Sequence, residues 1–162
     1  MKVIALPARK LLFALFCGIL LTSALTRNLA VAMPDDPWNA AQTVQPAQLV
    51  IELQQEKDRH VLIIYVGVRT LFNGGHIPGA VYYGPGSAEQ GISDLKKYAA
   101  TLPKNADVVL YCGCCPLQKC PNLRPAFTAL KDLGFARLRV LILPTSFNTD
   151  WAEKRYPVQK SS

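Results

Sequence analysis

The sequence predicts an α/β fold, with a mostly parallel central sheet of about five strands flanked by helices. Two observations carry that expectation. Apolar runs at residues 61–68 and 106–111 show no in-and-out alternation, which marks strands buried on both faces. Between and after these runs, apolar residues recur at helical spacing, and Gly, Pro and Asn clusters separate the segments.

Residues 1–32 stand outside that pattern. Lys2, Arg9 and Lys10 make a basic start, residues 11–25 are apolar apart from Thr22 and Ser23, and Ala30-Val31-Ala32 supplies an A-x-A cleavage pattern. The apolar run is shorter than the ~20 residues of a comfortable membrane span. It reads as a signal peptide, so the chain is expected to be exported to the periplasm, with no membrane span in the mature chain. Cys17 would leave with the signal, since bulky Leu15 and Phe16 before it make a poor lipid-attachment site. Removing Lys2, Arg9, Lys10 and Arg27, and no acid, lowers the formal charge from +7 to +3. That mild balance, without a basic stripe interleaved with aromatics, excludes nucleic acid as the expected partner.

Residues 33–42, with Pro34 and Pro37, read as a leader; one domain spans 43–158 and a tail follows at 159–162. A short strand is expected near Thr43-Val44. Pro46 opens a helix with Leu49, Val50 and Leu53 on its apolar face, running to the charged Glu56-Lys57-Asp58-Arg59. The strand at 61–68 follows, then an Asn73-Gly74-Gly75 turn and a short strand at 81–83, broken by Gly84-Pro85-Gly86. Residues 87–102 read as a helix with Ile92, Leu95, Tyr98 and Ala99 inward, ended by Pro103. The strand at 106–111 leads into a cysteine-rich loop. A helix over 123–133 then puts Phe127, Leu130 and Leu133 at helical spacing and stops at Gly134. A last strand at 138–143 and a closing turn or short helix from Asp150-Trp151 to Pro157-Val158 complete the order.

Four of the five cysteines lie in the stretch Cys112-Gly113-Cys114-Cys115-Pro116-Leu117-Gln118-Lys119-Cys120-Pro121-Asn122. It joins a strand end to a helix start, the place where open parallel sheets put their sites. Gly113, Cys114 and Cys115 can turn N–H groups toward an anion, whereas Pro116 and Pro121 have none to offer. Asn122 is a candidate N-cap for the following helix. Lys119 and Arg124 are the cations available to a bound anion. A thiol at such a junction can be lowered from ~8.5 into the ~3.5–7.5 range by amides and a helix start.

Over residues 43–158 the order of motifs resembles the rhodanese (sulfurtransferase) family. The resemblance rests on Val68-Arg69 followed by Gly75-His76-Ile77-Pro78-Gly79-Ala80, and on Val109-Leu110-Tyr111-Cys112. Leu130-Lys131-Asp132-Leu133-Gly134-Phe135, with Trp151 and Tyr156-Pro157-Val158, extends it through the C-terminal half. It implies that Cys112 is the nucleophile, taking sulfane sulfur from a small donor such as thiosulfate or a polysulfide as a persulfide. A thiol acceptor or cyanide would then remove it; no cofactor is implied. Three departures stand out. Gly67 replaces a common aspartate, Pro144-Thr145-Ser146 replaces a usual Gly-Gly pair, and the loop is longer and carries Cys114, Cys115 and Cys120. This loop resembles an extended-loop branch of exported bacterial rhodanese-like proteins.

The extra cysteines Cys114, Cys115 and Cys120 admit relay or resolving roles, structural disulfides, or a soft metal such as zinc or copper(I). The spacing C-x-C-C-x4-C is not a familiar zinc pattern, and no metal is assigned. Thiol-disulfide exchange between Cys112 and Cys115 is an alternative to sulfur transfer. So is a non-catalytic module that binds a soft metal or a partner. A phosphatase of a related kind would want Cys-x5-Arg, but residue 118 is Gln118. His76 is read as fixing a turn, Arg69 as buttressing a loop through carbonyls, and Trp151 and Phe147 as core or rim. Buried Tyr111 requires a hydroxyl partner that the sequence does not identify.

Overall fold

A computed structural model describes residues 36–55 and 61–161, within the unit Met33–Ser162. The expected signal segment, Glu56-Lys57-Asp58-Arg59 and the first three residues of the leader lie outside the described residues. Five parallel strands form one sheet: β1 (Thr43–Val44), β2 (Val61–Tyr65), β3 (Val81–Tyr82), β4 (Asp107–Tyr111) and β5 (Arg137–Leu141), in the spatial order β1-β5-β4-β2-β3. Helices α1 (Pro46–Gln55), α2 (Arg69–Gly74), α3 (Glu89–Ala100) and α4 (Leu123–Asp132) connect them. This is the α/β class read from the sequence. Among the described residues no helix is long and apolar enough to cross a membrane.

The strand runs lack alternation because both faces of the sheet are covered. Along β4, Val108 and Leu110 enter one core with Leu95, Phe127 and Leu130, from α3 and α4. Val109 and Tyr111 enter the other, with Leu49, Phe72, Ile77 and Trp151. Cys112 continues the alternation onto the α3–α4 side. On the opposite face, Trp151 is fully buried and donates its Nε1–H to the Pro157 carbonyl, at 2.8 Å, within a single helical turn at Asn148–Ala152 and its exit.

Two local differences have physical causes. Helix α2 is not legible as periodicity because it has only six residues, and the Asn73-Gly74-Gly75 signal marks its end. Leu53 of α1 is exposed, so Leu49 alone anchors that helix as a fully buried residue. Helix α4 closes as expected, with Gly134 at φ +84° taking the left-handed conformation that side chains resist.

Two expected roles resolve through contacts between α2, β3 and β4. The Tyr111 hydroxyl accepts the Ile77 N–H at 3.0 Å, the partner that its burial demands. His76 stacks on Phe72 and its Nδ1 lies 2.8 Å from the Phe72 carbonyl oxygen, so it fixes the turn. Arg69 differs from the expectation. Its guanidinium lies 3.7 Å from the Tyr82 ring centre, and the aromatic face takes the place of loop carbonyls.

Candidate functional site

Strand β4 is the middle of the five, and its carboxyl end delivers Cys112 into the loop as a buried residue, 1% exposed. Gly67, at the end of neighbouring β2, leaves room for it. A Cβ there would stand 2.6 Å from the Tyr65 hydroxyl and 2.9 Å from Cys112 Sγ. The carboxylate common in the resembling family has no space here, because a phenol and the thiol occupy it.

Gly113 takes φ +75°, and its carbonyl accepts the Phe147 N–H at 2.9 Å. A Cβ on Gly113 would come within 2.6 Å of Phe147 Cβ, so glycine is required twice over. The loop then folds through a 3-10 turn at Leu117–Lys119 that returns Cys120 to the interior, 3% exposed. The result is a chain of sulfurs. Cys112 Sγ lies 3.1 Å from Cys114 Sγ, and Cys114 Sγ lies 3.5 Å from Cys115 Sγ. The sulfurs of Cys112, Cys114 and Cys120 all fall within 4.8 Å of one another, and Cys115 is outside that triplet. Three soft donors at this spacing are close enough to hold one thiophilic ion.

Asn122 proves to be a site residue that the sequence reading placed only as a helix cap. Its backbone is already helical and its side chain makes no cap bond. Instead Nδ2 donates to Cys112 Sγ at 3.4 Å and reaches toward Cys114 Sγ at 3.7 Å, while Oδ1 accepts the Ser87 N–H at 3.0 Å. A side chain at Gly86 would strike the Asn122 carbonyl, which explains the glycine beside Ser87. Arg124 also departs from expectation. It pairs with Asp36 at 2.7 Å and donates to the Cys120 carbonyl at 3.2 Å, bracing the loop rather than offering itself to an anion. Lys119 remains an exposed cation on the turn.

Electrostatics divide the thiols. Cys120 is pulled down to about 6 by the Cys112 hydrogen bond and by the N–H groups of Asn122 and Leu123 at the start of α4. Cys112 is pushed up by that same partnership with the Cys120 thiolate and by burial; the Cys114 N–H opposes this only partly. Cys115 is pushed up to about 12, by burial first and by its sulfur neighbours second. The expected lowering therefore falls on Cys120, first because Cys112 donates to it and then because the amides at the start of α4 face it. Buried Tyr65 is also pushed up, by desolvation first and by the neighbouring sulfurs second, so its phenol stays neutral. Cys120 is expected to be a thiolate above pH about 6, lost on acidification through that value because its shift is downward. Ultraviolet thiolate absorbance against pH checks this. Cys120→Ser should remove the step, and a first ionisation near ~8.5 in the unmodified protein would refute the assignment.

A parallel sheet whose middle strand ends in a cysteine-bearing loop against a helix start defines a rhodanese-like domain. The pattern of the Rhodanese-like domain family matches residues 46–148, and the chain belongs to that family. Among solved structures it is similar to the rhodanese-like domain of the Alr3790 protein from Anabaena sp, at 23% identity and TM-score 0.54, covering 74% of this chain and 79% of that one. It is similar also to the BH2092 protein from Bacillus halodurans, at 19% identity and TM-score 0.57, covering 74% and 77%. Thiosulfate sulfurtransferase from Pseudomonas aeruginosa matches at 20% identity and TM-score 0.56, over 80% of this chain and 20% of that one. At these identities the likeness shows the fold. No curated protein matches the chain. The family includes sulfurtransferases, and the thiol cluster at 112–120 is consistent with that activity.

Proposed function

We propose that this protein is an exported sulfurtransferase that carries sulfane sulfur as a persulfide on Cys112 and passes it to a thiol or to cyanide. The observation that carries this reading is the position of Cys112 at the carboxyl end of the middle strand, with its Sγ met by the Asn122 amide and the Cys114 N–H. Cys112 Sγ attacks the outer sulfur of thiosulfate. The donor's S–S bond breaks with its electron pair leaving on sulfite, and the Cys112 proton passes to the Cys120 thiolate. Charge and atoms balance: a thiol, a thiolate and thiosulfate become a persulfide anion, a thiol and sulfite. The acceptor removes the outer sulfur in a second half-reaction, which makes the scheme ping-pong.

Cys115 stands outside the three-sulfur group, which favours sulfur carriage over exchange between Cys112 and Cys115. The export reading rests on residues 1–32, where a basic start, an apolar run and an A-x-A pattern follow one another. The test is intact mass and peptide mapping of reduced, chelator-treated protein recovered from the periplasmic fraction, before and after thiosulfate. The expected result is a gain of one sulfur (roughly 32 Da, the persulfide adduct of nucleophilic attack) mapped to Cys112, on a chain cleaved after Ala32. No gain with thiosulfate or with polysulfide would overturn the reading and direct attention to a thiophilic ion on the same sulfurs. An unprocessed chain would overturn the export.

A further inference from the structure

We propose that sulfane sulfur leaves the protein through Cys114, which takes it from Cys112 and presents it to a small organic thiol in the adjoining groove. This rests on the reading of Cys112 as the sulfur carrier. Cys112 is sealed from solvent at 1% exposure and does not line the groove; Cys114 is half-buried and does. The groove has a volume of about 580 Å³ and a largely apolar wall that includes Tyr65, Leu71, Phe147 and Val158. Lys160 is the charged residue in that wall, which favours an acceptor bearing a carboxylate. A donor of a few atoms needs less room at the sulfur than an organic thiol does. An organic thiol must bring its own sulfur into line with the persulfide bond, and at Cys112 the loop stands in its way.

The transfer itself is short. Cys112 Sγ and Cys114 Sγ are 3.1 Å apart, and the Asn122 amide spans them, donating to one and reaching toward the other. Two S–S bonds of ~2.05 Å in line need at least ~4.1 Å between the outer thiol sulfurs, so the pair opens by about 1 Å during exchange. Gly113 between them supplies the bend that places both side chains on the same side. Cys114 Sγ bonds to the outer sulfur, the bond from that sulfur to Cys112 Sγ breaks, and the proton of Cys114 moves to Cys112. Cys112 ends as a thiol, Cys114 as a persulfide anion, and no oxidant or reductant is consumed. The direction is favourable because the anion moves from a buried position to one that opens on the groove. The acceptor thiol then attacks the outer sulfur on Cys114 and carries it away.

The test uses the full processed chain loaded once with thiosulfate, with glutathione as acceptor and single-turnover kinetics read by mass. Cys114→Ser is expected to load one sulfur on Cys112 yet to transfer it to glutathione at least roughly tenfold more slowly. Rapid alkylation of the loaded wild type should find the extra sulfur on both Cys112 and Cys114, and only on Cys112 in the variant. Cys114→Ala, with melting compared to wild type, gives a second reading should serine perturb the loop. Transfer at the wild-type rate from either variant overturns the exit route while leaving Cys112 as carrier. Loading of Cys112→Ser on Cys114 overturns the order of transfer. A wild type that takes up no sulfur removes the reading on which the route rests.

Discussion

Replacing Cys112 with serine is expected to reduce sulfur loading by at least ~10³-fold while leaving the domain folded. A hydroxyl is far less acidic than a thiol, and it has no comparable affinity for a sulfane sulfur. The fold is expected to survive because serine fits the same space and keeps the same polar partners. It can accept from the Asn122 amide and the Cys114 N–H and donate to the Cys120 thiolate, the bonds that Cys112 makes now. Its stability change should lie within ~1 kcal/mol. Cys112→Ala separates the two effects. It too fails to load, but it strips the Cys120 thiolate of its donor and leaves the Asn122 amide with less to donate to. An interior polar group left unpaired costs about 1–3 kcal/mol, so alanine should melt clearly below serine. Loading measured by intact mass and stability measured by thermal melting check both statements. A serine variant that still takes up sulfur would move the nucleophile to Cys114 or Cys120.

Much of this architecture is legible along the chain, and the parts that are not share a cause. Strands β2 and β4 announce themselves because both faces of each are covered, so their apolar runs do not alternate. Helix α4 announces itself through Phe127 and Leu130 and through the glycine at its end. Cys112 and its loop are readable because they sit at a strand-to-helix junction. What the sequence conceals is set by contacts between distant segments. Asn122 looks like a helix cap until the Ser87 N–H, 35 residues away, claims its oxygen and the sulfurs claim its nitrogen. Arg124 looks free to bind an anion until Asp36 takes it. The assignment of the lowered thiol depends on which sulfur donates to which and then on where the first amides of α4 point; the turn at Leu117–Lys119 brings Cys120 both beside Cys112 and in front of those amides. Tyr65 had only one signal to offer, its place at the carboxyl end of the strand beside β4.

Asn122 joins these threads, and its replacement gives the second large effect. Asn122→Leu keeps a similar volume and deletes every polar contact of the side chain. The Ser87 N–H loses its acceptor, and the Cys112 and Cys114 sulfurs lose the amide between them. Asn122 is itself buried, so water does not readily replace these bonds, and the expected loss is ~2–4 kcal/mol. For a domain of this size that lowers Tm by roughly 3–5 °C for each kcal/mol. Sulfur loading should fall ~10–100-fold, since the sulfur that must meet the donor is no longer held. Asn122→Asp tests whether this loss is one of position or of charge. Its carboxylate still accepts the Ser87 N–H, so much of the stability should return. The same carboxylate places a negative charge against Cys112 and Cys114, which disfavours a thiolate and repels an anionic donor such as thiosulfate. The aspartate variant is therefore expected to melt closer to wild type than the leucine variant and to load no faster. Melting curves and initial loading rates for the pair decide the matter. If both variants load within about twofold of wild type, a difference too small for a group that positions a reacting atom, Asn122 only ties the loop to the Ser87 backbone and has no part in the chemistry.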